Sequence, residues 1–221
     1  MSLSAINLLP PRLELPRGRA ALPESEVEAS QQARILQATV EEIAENGFHG
    51  ASVTGITKRA RVSRTTFYQM FTSKTDVFSQ AHLAAVEQLA SNIRAESAKA
   101  EPKTWPDRVR VGVTSYLNVF ESSPAFAYCF LVDLHSAGDE LLDQHHLVSG
   151  SHARALITVA KRAQAAGEDV RIPGAAEALG VMGATDELTA REIRLAGRGA
   201  QPKLSRLIEP ITQLQSAILR P

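Results

Sequence analysis

Residues 46–75 read NGFHGASVTGITKRARVSRTTFYQMFTSKT, and the architecture of the whole chain turns on how this stretch folds. Three serines in it, Ser52, Ser63 and Ser73, each stand just before a run of helix-forming residues. A hydroxyl in that position accepts a hydrogen bond from a backbone amide that the first helical turn leaves unpaired. The spacing therefore predicts a short helix after Ser52 with Ile56 and Ala60 turned inward, a turn at Arg61-Val62, and a second short helix from Ser63 to about Phe71. A further helix starts at Ser73, where Ser73-x-x-Asp76 has capping-box spacing. Two short helices joined by a tight turn make a helix-turn-helix. The second presents Arg64, Thr65, Thr66, Tyr68 and Gln69 on its front, while Phe67 and Phe71, four residues apart, share its back. A helix fits the major groove of DNA, which is about 12 Å wide. The same stretch holds five basic residues, Lys58, Arg59, Arg61, Arg64 and Lys74, and no acid, so it carries a local positive field.

Outward from this segment the pattern stays helical. Upstream, Ser25-x-x-Glu28 has capping-box spacing, Ile35, Leu36, Thr39, Val40 and Ile43 recur at helical period, and Asn46-Gly47 is a natural stop. Before that, residues 1–23 contain Pro10, Pro11, Pro16 and Pro23 with Arg12, Arg17 and Arg19, and read as a flexible arm. Downstream, the helix after Ser73 carries Val77, Phe78 and Ala81 and continues beyond Leu89. Val109, Val113, Tyr116, Leu117 and Phe120 make one stripe, and Ser123-Pro124 opens the next helix. Leu141 to Ala166 reads as a long helix with a weak point at Gly150, and Pro173 opens another through Leu195. Leu204, Leu207, Ile211, Leu214 and Ile218 form a last apolar seam that Pro210 should kink. Strand-like alternation is weak throughout. The expectation is an all-α chain of about nine helices: an arm over 1–23, a helix-turn-helix domain over 24–80, and a helical ligand-binding and dimerisation domain over 81–221.

Composition narrows the function classes. With 24 Lys+Arg against 24 Asp+Glu among 221 residues, the formal charge is zero, which excludes a polybasic coat for nucleic acid or membrane. Hydrophobic residues at 44% supply a core and exclude a wholly disordered chain. A single cysteine, Cys129, excludes an intramolecular disulfide and a cysteine zinc site. The longest apolar run, Ala125 to Val132, is far shorter than the roughly 20 residues that span a bilayer. A secretory signal is not recognisable, so a cytoplasmic protein with no membrane association is expected.

The residues Gly47-Phe48, Ser52-Val53-Thr54, Ile56, Ala60, Val62-Ser63, Thr66-Phe67-Tyr68, Phe71, Ser73-Lys74 and Val77-Phe78 fall in one ungapped register. In that register the segment from Arg34 to near Leu83 resembles the DNA-binding domain of the TetR family of transcriptional regulators. The resemblance implies that Ser52 and Thr54 touch phosphate or a base edge, and that Ser63, Arg64, Thr65, Thr66 and Gln69 belong to the cap and front of the recognition helix. It further implies that Tyr68 bonds phosphate through its hydroxyl and that Lys74 pairs with phosphate at the start of the fourth helix. Two departures stand out: Arg61 replaces the usual turn glycine, and Gly55 and Thr57 lie inside a helix where stronger helix formers are common.

The family also implies an effector cavity among the middle helices, for which Tyr116, Phe120, Phe126 and His135 are the candidates, and a homodimer. Two reading heads about 34–36 Å apart match one turn of B-DNA. Ala176, Leu179, Gly180, Gly183 and Ala184 offer a small-residue face for close helix approach, together with the last apolar seam. A small-molecule effector would then release a repressor from operator DNA by favouring the conformer with wrongly spaced heads. No cofactor and no catalytic residue is expected, since no nucleophile–base pair, metal spacing or glycine-rich phosphate loop is present. His135, His145, His146 and His152 lack the i, i+4 spacing of a helical metal site and read as pocket lining or surface. Cys129, set in an apolar run, reads as core. A helical protein-interaction adaptor without sequence-specific DNA binding is the rival reading.

Overall fold

The computed structural model describes residues 23–221; the arm residues Arg12, Arg17 and Arg19 and the prolines before Pro23 lie outside the described part. Nine α-helices, and no strand, are formed among the described residues: α1 (Glu24–Gly50), α2 (Val53–Ala60), α3 (Arg64–Met70), α4 (Lys74–Ala100), α5 (Trp105–Ser122), α6 (Pro124–Leu131), α7 (Asp139–Ala165), α8 (Ala175–Ala196) and α9 (Ile208–Ala217). Short 3₁₀ turns precede α7 and α9, at Asp133–Ser136 and Ser205–Leu207.

Local chemistry sets most of the boundaries. Ser52, Ser63 and Ser73 each accept from the amide three residues on, at Gly55, Thr66 and Asp76. Thr104 and Asp107 form a reciprocal capping box at the start of α5. Gly47 adopts φ 72°, which ends the regular part of α1 and turns the chain toward α2. Three expectations are corrected. Ser25 is not the cap of α1, because the helix begins directly after Pro23. Gly150 does not break α7, which runs through it unbroken. Pro210 does not kink α9: it lies in the first turn, where its missing N–H would have had no helical acceptor.

The core is continuous from end to end. Ile35, Ile43, Ile56, Phe67, Phe71, Val77 and Phe78 knit α1 to α4, and Leu117, Phe130, Leu141, Leu204 and Ile211 fill the larger bundle. Phe78 stacks on Phe130, with ring centroids 5.1 Å apart, so the aromatic packing crosses from one part to the other. Cys129 is buried and its thiol donates to the Val40 carbonyl at 3.3 Å; burial pushes the thiol pKa up, as a core residue requires.

A second tie between the two parts is polar. Arg198, just past the end of α8, donates to both carboxylate oxygens of Asp133 at 2.7 and 2.9 Å and to the Ile43 and Ala44 carbonyls at 3.0 Å. Its guanidinium also lies 4.3 Å from the Tyr128 ring centre. One side chain thus closes the free carbonyl end of α1 and the turn after α6.

Candidate nucleic-acid interface and effector cavity

α3 stands on its aromatic back. Phe67 and Phe71 are fully buried, 5.7 Å apart between centroids, and Phe67 meets the edge of the Tyr68 ring. With that side fixed, Ser63, Arg64, Thr65 and Gln69 are exposed, Thr66 is half-exposed, and Tyr68 keeps 51% of its surface in solvent. Ser52 and Thr54 are exposed beside them at the start of α2. Neither α2 nor α3 has an acid in its first turn, so the positive ends of both dipoles stay unneutralised. The expected interface residues, Lys74 apart, are therefore exposed or half-exposed at α2 and α3.

The turn between α2 and α3 explains Arg61. It adopts φ 54°, ψ 48°, the left-handed conformation for which glycine is usual. The Val62 amide donates to the Thr57 carbonyl at 3.1 Å, and Arg34 on α1 donates to the Ala60 carbonyl at 3.1 Å. These bonds satisfy the carbonyl end of α2 and offset the strain of a non-glycine residue.

Lys74 departs from its expected role. Its ammonium is turned inward, donating to the carbonyls of Phe48 and, at 2.9 Å, Ala51, and lying 4.4 Å from the Phe48 ring centre. Partial burial lowers its pKa. The first turn of α4 is already served by an acid: the Asp76 carboxylate accepts from the Thr72 amide at 2.7 Å and from its hydroxyl at 3.0 Å. Lys74 thus fastens α4 to the α1–α2 turn. Arg59 is likewise paired, with Glu42 at 2.7 Å and with Glu45. The positive field of the head is left to Lys58, Arg61 and Arg64, which are exposed.

Gly55 has a tertiary cause. A Cβ placed there would fall 1.9 Å from the Glu42 carboxylate. The missing side chain makes room for the acid that holds Arg59.

In the larger bundle, α4, α5, α7 and α8 enclose a cavity of about 450 Å³, within the range of small-molecule sites. Ile93, Val109, Val113, Leu156, Val159 and Met182 give it an aliphatic wall. Arg94, Arg108 and Arg162 also border it. Arg108 is paired with Glu168, whereas Arg94 and Arg162 are exposed and meet no acid among the described residues.

At its inner end the cavity meets Tyr116, His152 and Asp186. The Tyr116 hydroxyl donates to Asp186 at 2.8 Å, and Ser149 donates to the other carboxylate oxygen at 3.4 Å. His145 lies 4.0 Å from the same carboxylate. Burial foremost, then the Asp186 charge, raises the Tyr116 pKa well above its usual value, so the phenol keeps its proton. Beyond these groups is a second space of only about 30 Å³, lined by Phe120, Phe126, Phe130, His82 and their neighbours. His82 is buried at 3% exposure, and burial together with His145 and His152 lowers its pKa to about 4. Burial lowers His145 and His152 as well.

Tyr116, Phe120 and Phe126 are therefore gathered around one place. His135 is not with them. It is exposed on the 3₁₀ turn before α7 and borders a groove of about 340 Å³ with His146, Leu179 and Gly183; this groove meets the inner site at His145, Ser149 and Asp186, and the His135 and His145 rings lie 6.0 Å apart. Sequence reasoning missed Asp186 and His82; the only signal was a lone acid and a lone histidine on otherwise apolar helix faces.

On α8, Ala176, Leu179, Gly180 and Gly183 are exposed and Ala184 is half-exposed; a Cβ at Gly180 or Gly183 would meet nothing within 4 Å. By contrast Leu204 and Ile211 are fully buried within the chain, so that part of the last seam is intrachain core. No helix among the described residues is long and apolar enough to cross a membrane.

Comparison with known proteins agrees with this architecture. Residues 35–81 match the model for bacterial regulatory proteins of the tetR family. No curated protein sequence matches the chain. Among solved structures, the fatty acid degradation regulator FadR from Bacillus halodurans superposes with a TM-score of 0.72 at 21% identity, over 84% of this chain and 94% of that one. The transcriptional regulator FadR from Bacillus subtilis, solved in complex with stearoyl-CoA, gives 0.68 at 20% identity, over 82% and 96%. A TetR transcription regulator from Haloarcula marismortui gives 0.68 at 15% identity, over 87% and 100%. At these identities the likeness establishes a shared fold.

Proposed function

We propose, from the premise that this chain is a TetR-family transcriptional regulator, that it acts in the cytoplasm as a homodimeric repressor released from operator DNA by an amphiphilic small molecule. One observation carries this: the head leaves Arg64, Thr65, Tyr68 and Gln69 uncovered on a rigid aromatic base, and α4 runs from that head directly into the wall of an apolar cavity. Arg64, Thr65 and Gln69 serve as base-edge or phosphate donors, and Ser52, Thr54, Ser63, Thr66 and Tyr68 as phosphate contacts. Lys74 acts behind them, as the fastener that holds the head in place. The open small-residue face of α8 meets its twin in a second copy, which sets the two heads at operator spacing.

The cavity supports an effector class. An aliphatic chamber bordered by two unpaired arginines suits a molecule with an apolar tail and an anionic head. An acyl-coenzyme A has that chemistry, and the Bacillus subtilis FadR structure contains one. Tyr116, with the chamber walls, binds the tail; Phe120 and Phe126 support Tyr116 from behind. An effector that prefers the release-prone conformer weakens DNA binding by linkage.

The test is a fluorescence-anisotropy titration of the full chain against duplexes from the region flanking its own gene. The expected outcome is salt-sensitive, sequence-selective binding that a long-chain acyl-coenzyme A weakens. Equal binding to all fragments at moderate salt would refute the proposal in favour of a helical adaptor. In that rival, Arg64 and Tyr68 are plain surface.

A further inference from the structure

The large chamber and the small one share Tyr116, His152 and Asp186 in their walls. The 2.8 Å bond from the Tyr116 hydroxyl to Asp186 therefore sits where the two spaces adjoin, joining α5 to α8. The arginine side offers a largely aliphatic wall with Thr185 and Gln215 among it, and the far side sets Phe120, Phe126 and Phe130 beside His82, His145 and Ser149. A hydrocarbon tail entering from the arginine side finds favourable surface until it reaches this polar bar. To go further it must break a part-buried charge-assisted hydrogen bond and leave the buried Tyr116 hydroxyl without its acceptor, which no single methylene can repay.

We infer that the Tyr116–Asp186 bar is the floor of the effector site and sets the longest tail the protein accepts, with Phe120 and Phe126 held in reserve behind it. The inference rests on the apolar-tailed effector proposed above. The bar is fixed at both ends. Tyr116 packs edge-on against Phe120, 4.8 Å between centroids, and Asp186 is held by Ser149. His145 and His152 face the same carboxylate from α7. The site is therefore selective through its length.

The experiment measures the affinity of the full chain for saturated acyl-coenzyme A thioesters from eight to eighteen carbons by titration calorimetry. For the wild type, affinity rises about fourfold per added methylene, up to a break beyond which it levels or falls. Tyr116→Ala opens the passage and moves the break to longer tails. Phe126→Ala alone leaves the break where it was, because the bar still closes the space it enlarges; combined with Tyr116→Ala it moves the break further. Should Tyr116→Ala lose its cooperative melting transition, Tyr116→Leu is read instead, with the same expected direction. A folded Tyr116 variant with an unmoved break, or a shift produced by Phe126→Ala alone, overturns the inference while leaving the acyl effector in place. A wild type that binds no thioester of any length overturns the effector class, and the floor with it.

Discussion

Replacing Arg198 by methionine should cost more than any other exposed-side substitution in the chain. The guanidinium is the shared partner of a buried carboxylate, Asp133, and of two carbonyls at the end of α1. Methionine keeps the apolar stem over Tyr128 and removes all four bonds. Leaving one member of a buried ion pair alone costs about 3–5 kcal/mol. The Arg198 side chain is 32% exposed, so water reaches part of the gap, which brings the expected loss to about 2–3 kcal/mol. In urea, with m of about 2 kcal/mol/M, this is a midpoint shift of roughly 1–1.5 M with an unchanged slope. Adding Asp133→Asn should return at least about 1 kcal/mol, because the stranded charge is then gone. A loss under about 0.5 kcal/mol for Arg198→Met, or a double variant that loses the full sum of the two single losses, would refute the claim that this pair fastens the bundle to the head.

Other substitutions test the remaining sites. Arg64→Ala should weaken operator binding by about 1–3 kcal/mol, read as a 5- to 150-fold loss in an anisotropy titration; if the residue contacts only phosphate, the salt slope falls by about one instead. Tyr68→Phe should cost about 1 kcal/mol of DNA affinity with no change in melting temperature, as expected for an exposed hydroxyl that bonds only in the complex. Gly55→Ala should destabilise the head despite alanine's better helix propensity, because the new methyl drives the Glu42 carboxylate off Arg59; equal or higher stability by thermal melting would contradict that packing. His82 binds its proton more weakly folded, at about 4, than unfolded, near 6.5. The unfolded state therefore takes up more protons between those values, and stability falls as pH drops from about 6.5 to 4, by up to about 3 kcal/mol. His82→Phe should flatten that slope in urea melts at pH 7 and pH 5.

The parts of the fold that local hydrogen bonds dictate were legible from the residues alone. Ser52, Ser63 and Ser73 cap helices because a hydroxyl and an amide three residues on find each other in any context. The aromatic back of α3 was equally plain, since Phe67 and Phe71 repeat at helical spacing. What distant segments dictate was not legible. Gly55 looks like a weak helix residue until Glu42 from α1 is seen filling its place. Lys74 carries a mobile charge by composition, and only the return of Phe48 and Ala51 to its tip fixes that charge inside. His135 is ten residues before His145, and only the 3₁₀ turn brings their rings to 6.0 Å while leaving His135 exposed. Asp186 lies seventy residues from its tyrosine, and no periodicity connects them.

α4 spans 27 residues, which makes it a rod about 40 Å long. Its first residue is bonded to the α1–α2 turn through Lys74, and Ser79 is bonded to Gln144 of α7 at 2.6 Å, about a turn and a half further on. Such a rod is a gear of high ratio. A tilt of about 5° at the cavity end sweeps the far tip by about 3.5 Å, the rise of a single base pair along duplex DNA. In the proposed dimer, displacements inside the chamber no larger than a side-chain rotation would then move one head against the other by about one rung.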